Sequence, residues 1–205
     1  MKHCAVLLAC TLVFHSAAAR AADAPNTLSA DELNDGWILL FDGATTFGWK
    51  AASDANWKVA DSVISVDSGD PGLLATTTQF GDYVLKVDFR APKATNSGVF
   101  LRTPAEPTNP AVDCYELNIA PPDNPFPTGS LVGRRATQKL PAAWDGAWHA
   151  FDITAVGGKF SINCDGNLIL EYVDPTPLRR GHVGLQSKQG EVAFRNVRIH
   201  ELRDK

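Results

Sequence analysis

Segment after segment of this chain alternates apolar and polar positions with period two, the pattern of strands that bury one face. Tyr83, Leu85, Val87 and Phe89 alternate with Val84, Lys86, Asp88 and Arg90. Tyr115, Leu117 and Ile119 alternate with Cys114, Glu116 and Asn118, and His149, Phe151 and Ile153 with Trp148, Asp152 and Thr154. Val183 and Leu185 alternate with His182, Gly184 and Gln186. Turn signals separate the runs at Asp61-Ser62, Gly157-Gly158, Asp165-Gly166-Asn167 and Gln189-Gly190. A helix of a turn or two is predicted only at Ser29–Asn34, where Ser29 can cap and Glu32 stands three residues on. About ten or more short strands in ~180 residues predict an all-β fold, a two-sheet antiparallel jelly-roll sandwich.

The amino terminus breaks this pattern. Lys2-His3, an apolar run from Cys4 to Phe14 and then Ser16-Ala17-Ala18-Ala19-Arg20-Ala21-Ala22 have the three-part layout of a secretory signal peptide. Residues 1–22 are read as that signal, 23–36 as a lead-in and 37–203 as a single sandwich domain, which places the protein in the periplasm or outside the cell. The apolar run is too short to span a bilayer, which takes about 20 apolar residues, and no later segment qualifies. Leu7-Leu8-Ala9-Cys10 resembles a lipoprotein box, but it lies within the apolar run with too little before it.

The formal charge of −4, with 19 Lys+Arg against 23 Asp+Glu, gives no basic surface for displacing phosphate counterions, so nucleic acid is excluded as a partner. Cleavage removes Lys2 and Arg20 and no acid, which makes the mature chain more acidic still. It also removes Cys4 and Cys10. Cys114 and Cys164 remain, in a compartment where disulfides persist. Alternation puts Cys114 on a polar face and Cys164 with Phe160 and Ile162, so a bond between them requires a bulge. The pairing and the oligomeric state stay open.

Seven of the 13 prolines, at 104, 107, 110, 121, 122, 125 and 127, flank the single strand at residues 112–119. Proline cannot donate to a sheet ladder, so both stretches are loops stiffened by fixed φ angles, and loops of that kind at the ends of a sandwich strand commonly hold a binding site. On that strand Glu116 and Asn118 share one face. Gly98-Val99-Phe100-Leu101-Arg102 puts Arg102 opposite Val99 and Leu101, and a third strand puts His182, Gln186 and Lys188 opposite Val183 and Leu185. If the three strands share a sheet, these residues line one concave polar surface. Amide side chains offer donors and acceptors and Arg offers a fork, a set suited to a polyhydroxylated ligand; a solvated outer face with incidental polar residues is the alternative. Trp37, Trp49 and Trp57 are predicted to be core. Trp144, in the loop Pro141-Ala142-Ala143-Trp144-Asp145-Gly146, is the candidate for stacking on a sugar ring.

The chain contains no Cys-x-x-Cys, His-Glu-x-x-His, Walker loop, dinucleotide glycine fingerprint or Gly-x-Ser-x-Gly elbow. It also lacks the Glu-x-Asp-x-x-Glu run of sandwich-fold endoglycanases, which argues against ordinary two-carboxylate glycoside hydrolysis.

Several segments taken in order carry a resemblance. They are Leu40-Phe41-Asp42-Gly43 with Gly48-Trp49, Asn96-Ser97-Gly98-Val99-Phe100-Leu101-Arg102, Tyr115-Glu116-Leu117-Asn118-Ile119, Pro127-Thr128-Gly129-Ser130, and Gly184-Leu185-Gln186 with Phe194-Arg195-Asn196-Val197-Arg198-Ile199. From about Trp37 to Leu202 the chain resembles the 3-keto-disaccharide hydrolase family, a former domain of unknown function with a concanavalin A-like jelly roll. The resemblance implies an exported protein that cleaves glycosides whose sugar is oxidised at C3, by removal of the C2 proton, elimination at C1 and hydration. It implies Glu116 as base or metal ligand, Arg102 as cationic partner and Gln186 as a holder of a sugar hydroxyl. The chain departs from the family pattern at Lys188, where a His often stands, at Asn118, where a Gln often stands, and at an acid displaced to Asp123. A protonated Lys cannot ligate a metal, although it can stabilise an enolate as a fixed cation. The cofactor, a divalent metal among the options, is left open.

Three functions compete. A 3-keto-glycoside hydrolase or lyase would use Glu116, Arg102 and Lys188 as catalytic groups, with Asn118, Gln186, His182 and Trp144 binding the oxidised sugar or glycan. A non-catalytic carbohydrate-binding module would depend on Trp144 and be indifferent to Glu116. A purely structural or interaction domain would respond to no glycan, because fold alone does not fix function.

Overall fold

A computed structural model describes residues 24–138 and 146–202. The segment 1–22 expected to be a signal and the stacking candidate Trp144 lie outside the described residues. The expected helix forms as α1 (Ala30–Asn34): the Ser29 side chain accepts from the Glu32 N–H, and the Glu32 carboxylate accepts from the Ser29 N–H. This reciprocal cap satisfies two N–H groups that a helix start otherwise leaves without partners.

Among the described residues thirteen strands follow, beginning with β1 (Ile38–Leu39), β2 (Trp49–Ala51), β3 (Lys58–Ala60), β4 (Val63–Val66), β5 (Gly72–Thr76) and β6 (Tyr83–Arg90). After β7 (Ser97–Thr103), a short α2 (Pro110–Asp113) leads into β8 (Tyr115–Ile119), and β9 (Trp148–Val156) comes next. The chain continues with β10 (Lys159–Cys164), β11 (Asn167–Val173), β12 (His182–Ser187) and β13 (Val192–Glu201). They form two sheets. One runs β11-β10-β9-β6-β13-β4-β3 with β1 added beside β13, and the other runs β2-β5-β12-β7-β8. The pairings are antiparallel, which makes the fold the predicted all-β jelly-roll sandwich. No helix among the described residues is long and apolar enough to cross a membrane.

The alternation read from the sequence becomes the core. Tyr83, Leu85, Val87, Phe89, Phe151, Ile153 and Phe194 of the larger sheet meet Val99, Leu101, Tyr115, Leu117, Ile119, Val183 and Leu185 of the smaller. Each such side chain contributes about 1.5–3 kcal/mol by leaving water, so the two inner faces hold the sheets together. Trp49 is core and Trp57 packs partly buried against it. Trp37 departs from expectation: it lies half-buried on the outer face, tilted against His200 with the Lys86 ammonium over its ring. Cys114 and Cys164 are buried free thiols, the first under the smaller sheet's outer face and the second inside the core. Cys164 lies between the two sheets and Cys114 outside the smaller one, so the two thiols do not pair.

Candidate functional site

The smaller sheet places β8, β7 and β12 side by side, as the polar-surface reading requires. Asn118 pairs with Gly98, Glu116 pairs with Phe100, and Phe100 pairs in turn with Gly184. On β5, Leu73 faces Gln186 and Ala75 faces Gly184. The face turned away from the core therefore reads Asn118, Gly98, Gln186, Leu73 in one row and Glu116, Phe100, Gly184, Ala75 in the next. Gly98 is the open floor of the first row. A Cβ there would lie 3.3 Å from the Glu116 Cγ, 3.6 Å from the Gln186 Oε1 and 3.1 Å from the Leu117 carbonyl oxygen. Without one, the side chains of Glu116 and Gln186 approach each other over bare backbone.

Glu116 is 3% exposed. Its own strand is covered along the outer edge by the return of residues 128–132, which follows the proline-rich stretch 121–127; there Asn118 N–H donates to the Ser130 carbonyl at 2.9 Å and Val132 N–H to the Glu116 carbonyl at 3.0 Å. Burial pushes the Glu116 carboxyl above the ordinary range, opposed in part by the Lys188 charge and by a hydrogen bond from the Gln186 amide. Beside it, Asn118 Nδ2 donates to the Phe126 carbonyl. The Asn118 Oδ1 and Gln186 Oε1 are buried and have no hydrogen-bond partner among the described residues. Two bare acceptors next to a carboxyl suit a ligand rich in hydroxyl donors.

Over this face lies a cavity of about 410 Å³, with Leu73, Phe100, Gln186 and Lys188 on one side and Glu106, Pro107 and Pro110 on the other. A second cavity of about 210 Å³ adjoins it, lined by Lys50, Thr76, Thr77 and His182 and sharing Ala52, Ala105 and Glu106. His182 is thus on the predicted face but at its far end, about 13 Å along β12 from Gln186 at the usual strand rise. It contacts Gln79 across 3.3 Å between Nε2 atoms. Glu116 is not among the cavity's lining residues; Gln186 connects the two, lining the cavity while bonded to the carboxyl. Lys50 and Glu106 were invisible to the strand pattern because neither belongs to an alternating run. For Glu106, the Pro104 and Pro107 around it were the only signal.

Arg102 does not join this set. Between His182 paired with Thr103 and Gly184 paired with Phe100, two residues of β7 oppose the single Val183. This bulge, with Arg102 at φ +49°, reverses the parity of the strand. The guanidinium turns inward, 1% exposed, and donates to the carbonyls of Gly81 (2.9 Å), Gly157 (2.6 Å), Leu178 (2.7 Å) and Ala155 (3.3 Å) and to Asp82 (2.8 Å). It also lies 5.5 Å from the centre of the Phe160 ring. Gly181 makes the turn possible, since a Cβ there would sit 2.3 Å from the Arg102 carbonyl carbon. Arg102 joins the loops at one end of the sandwich and is not a partner of Glu116.

Among the described residues, the donors around Glu116 do not make a divalent-metal site. Among the described residues Glu116 belongs to no cluster of three His, Cys, Asp or Glu ligands. The charge acting on it is an ammonium, and the remaining donors are two neutral amides. No chemical step is assigned to a metal there.

A family model described as the 3-keto-alpha-glucoside-1,2-lyase-like domain matches residues 36–200. No curated protein matches the chain. Among solved structures, one from Parabacteroides distasonis ATCC 8503, provisionally named a glycosyl hydrolase, superposes with a TM-score of 0.77 at 20% identity, over 88% of this chain and 100% of that one. Carbohydrate-binding module CBM66 from Bacillus subtilis superposes with a TM-score of 0.59 at 18% identity, over 74% and 94%. A galectin-like protein of unknown function from Bacillus subtilis does so at 0.52 and 13%, over 75% and 89%. At these identities the three are similar in fold.

Proposed function

The chain belongs to the 3-keto-alpha-glucoside-1,2-lyase-like family, and is so a carbohydrate-active protein; from that premise we propose that it cleaves the glycosidic bond of sugars carrying a ketone at C3, with Glu116 as the base. A C3 ketone acidifies the C2 proton. The Glu116 carboxylate takes that proton, the electron pair moves into the C3 carbonyl as an enolate, and the enolate expels the C1 substituent as the glycosidic C–O bond breaks; the departing alkoxide takes up the proton held by Glu116, which restores the carboxylate. Water then adds across the resulting double bond, so the net change is hydrolysis. Lys188 is the cation for the developing enolate charge, and Gln186 and Asn118 accept from sugar hydroxyls.

The observation that carries this reading is the Glu116 carboxyl, buried and held above the ordinary range with one ammonium acting on it. Such a carboxylate is a stronger base than one in water. The route uses one carboxylate, in keeping with the missing second one. The amino-terminal pattern supports export, and we place the reaction in the periplasm or outside the cell.

A non-catalytic sugar-binding role is favoured by one observation, that Glu116 does not line the cavity. Turnover of a 3-keto-glucoside by wild type and by Glu116→Gln, with and without a chelator, separates the two. Loss of turnover in a variant whose circular dichroism is unchanged supports the base. Absence of wild-type turnover across several 3-keto-glycosides, with sugar binding intact, supports the binding module.

A further inference from the structure

We infer that His149, Cys164 and Asp165 form a binding site for a borderline-soft divalent cation such as Zn²⁺, at one end of the larger sheet and on a different sheet from the sugar cleft. The register of the hairpins brings the three together. Cys164, the last residue of β10, pairs with Phe151 of β9, and His149 lies two residues before Phe151 on the same face. Cys164 also pairs with Asn167 of β11, so Asp165-Gly166 is a two-residue turn. Both turn residues have positive φ, +51° and +76°, the backbone of a type I′ turn that Asp-Gly favours. The turn folds the Asp165 carboxylate back over the strand end, and one ligand atom from each of the three residues lies within 4.8 Å of the others.

The hydrogen bonding already has the outline of a metal centre. His149 Nδ1 is 2.7 Å from Asp165 Oδ2, and the Cys164 thiol is also hydrogen-bonded to the Asp165 carboxylate. Two hydrogens thus point at one carboxylate from a nitrogen and a sulfur, the positions a cation would bridge. A tetrahedral ion with bonds of about 2.0–2.3 Å to N, O and S separates its ligands by a little over 3 Å, so the His–Asp contact opens by about half an ångström. Binding releases the thiol proton, moves the imidazole hydrogen from Nδ1 to Nε2, and leaves a dication with a thiolate, a carboxylate and a neutral imidazole. The centre is then neutral, as a nearly dry site requires; His149 and Cys164 are 8% and 2% exposed. The half-exposed Asp165 side chain gives the ion a way in, and water completes the coordination.

The supporting contacts are also present. The Asp165 Oδ1 accepts from Ala150 N–H at 2.9 Å, and Asp165 N–H donates to the Ala150 carbonyl at 2.9 Å, which fixes the carboxylate against β9. The His149 ring packs on Phe89, 5.7 Å between centres. Sulfur with imidazole and carboxylate selects Zn²⁺ or Co²⁺ over Ca²⁺ or Mg²⁺, which take oxygen ligands.

The test is titration of the reduced, chelator-treated protein with Co²⁺. A near-ultraviolet thiolate-to-cobalt band saturating at one equivalent, with visible bands of four-coordinate cobalt, displaced by Zn²⁺, is the expected result. The band disappears in Cys164→Ser and persists in Cys114→Ala, while His149→Gln and Asp165→Asn each weaken binding about tenfold or more. Asn at 165 keeps the positive φ and the oxygen facing Ala150, so its effect reads the ligand and not the turn. Near-ultraviolet circular dichroism of the metal-free variants checks that they fold. No thiolate band, a band unchanged by Cys164→Ser, or affinity unchanged by His149→Gln overturns the site, and none of these outcomes bears on cleavage of a sugar.

Discussion

Replacing Arg102 by Met separates a buried structural role from a catalytic one. The substitution removes five hydrogen bonds and leaves four carbonyls and the Asp82 carboxylate short of a partner. Breaking a buried ion pair by taking away one member costs about 3–5 kcal/mol, because the other charge remains without compensation. Asp82 keeps the Gly157 N–H at 2.9 Å, and single contributions do not add, so about 4 kcal/mol is the working figure for the whole cluster. With a urea slope of about 2 kcal/mol/M, the unfolding midpoint falls by about 2 M. Tryptophan fluorescence in urea measures it, and the double variant with Asp82→Asn recovers part of the loss by removing the uncompensated carboxylate. A midpoint lowered by less than about 0.5 M, or turnover lost at unchanged stability, would refute the structural assignment and return Arg102 to the chemistry.

Other substitutions test the cleft. Glu116→Gln raises the thermal midpoint at neutral pH: the folded carboxyl titrates above its unfolded value, so the stability tied to its protonated form is present at low pH and lost as pH rises through the folded pKa. The advantage of Gln shrinks as pH falls through that range, and scanning fluorimetry from pH 4 to 8 reads it; a wild type more stable than the variant at pH 8 contradicts the burial argument. Lys188→Met takes away the charge that holds the Glu116 carboxyl down and moves the acid limb of kcat/KM to higher pH, whereas an unmoved limb separates Lys188 from the base. Gly98→Ala forces a methyl between Glu116 and Gln186 and lowers turnover about tenfold or more with a stability loss of about 1–3 kcal/mol, measured by kinetics and urea unfolding together.

Much of the architecture was legible because one-sided burial leaves a period in the sequence. β6 alternates buried and half-buried positions along seven of its eight residues, and the chain shows that as Tyr83, Leu85, Val87 and Phe89. β7 and β8 are buried on both faces, and there alternation stops distinguishing core from cleft: Phe100 lies on the same face as Glu116, apolar, and forms the floor of a polar site. The grouping of Glu116, Asn118 and Gln186 survived because parity is correct at those positions. Arg102 was misplaced because a bulge is a property of two strands. The extra residue on β7 is defined only against Val183 of β12, and the glycine that permits it, Gly181, is 79 positions away in sequence. The His149, Cys164 and Asp165 cluster was hidden for the same reason. Its turn was readable, but not the register that sets Cys164 beside His149.

In the proposed reaction, the displacement of Arg102 determines what kind of base Glu116 would be. A guanidinium on the cleft face would form a bidentate pair with the carboxylate, hold it ionised and lower its affinity for a proton. By turning inward at the bulge, Arg102 leaves the carboxyl to a single exposed ammonium, whose field water screens, and to an amide hydrogen bond. Burial then outweighs both and raises the affinity of Glu116 for a proton. A carboxylate asked to remove a carbon-bound proton gains from that change, because its proton affinity moves toward that of the acid it must deprotonate. The cation left in reach, Lys188, lies on the cavity side of Gln186's strand, where negative charge would develop on the oxidised sugar. One extra residue in β7 thus separates the cation that stabilises the fold from the cation that the proposed reaction would use.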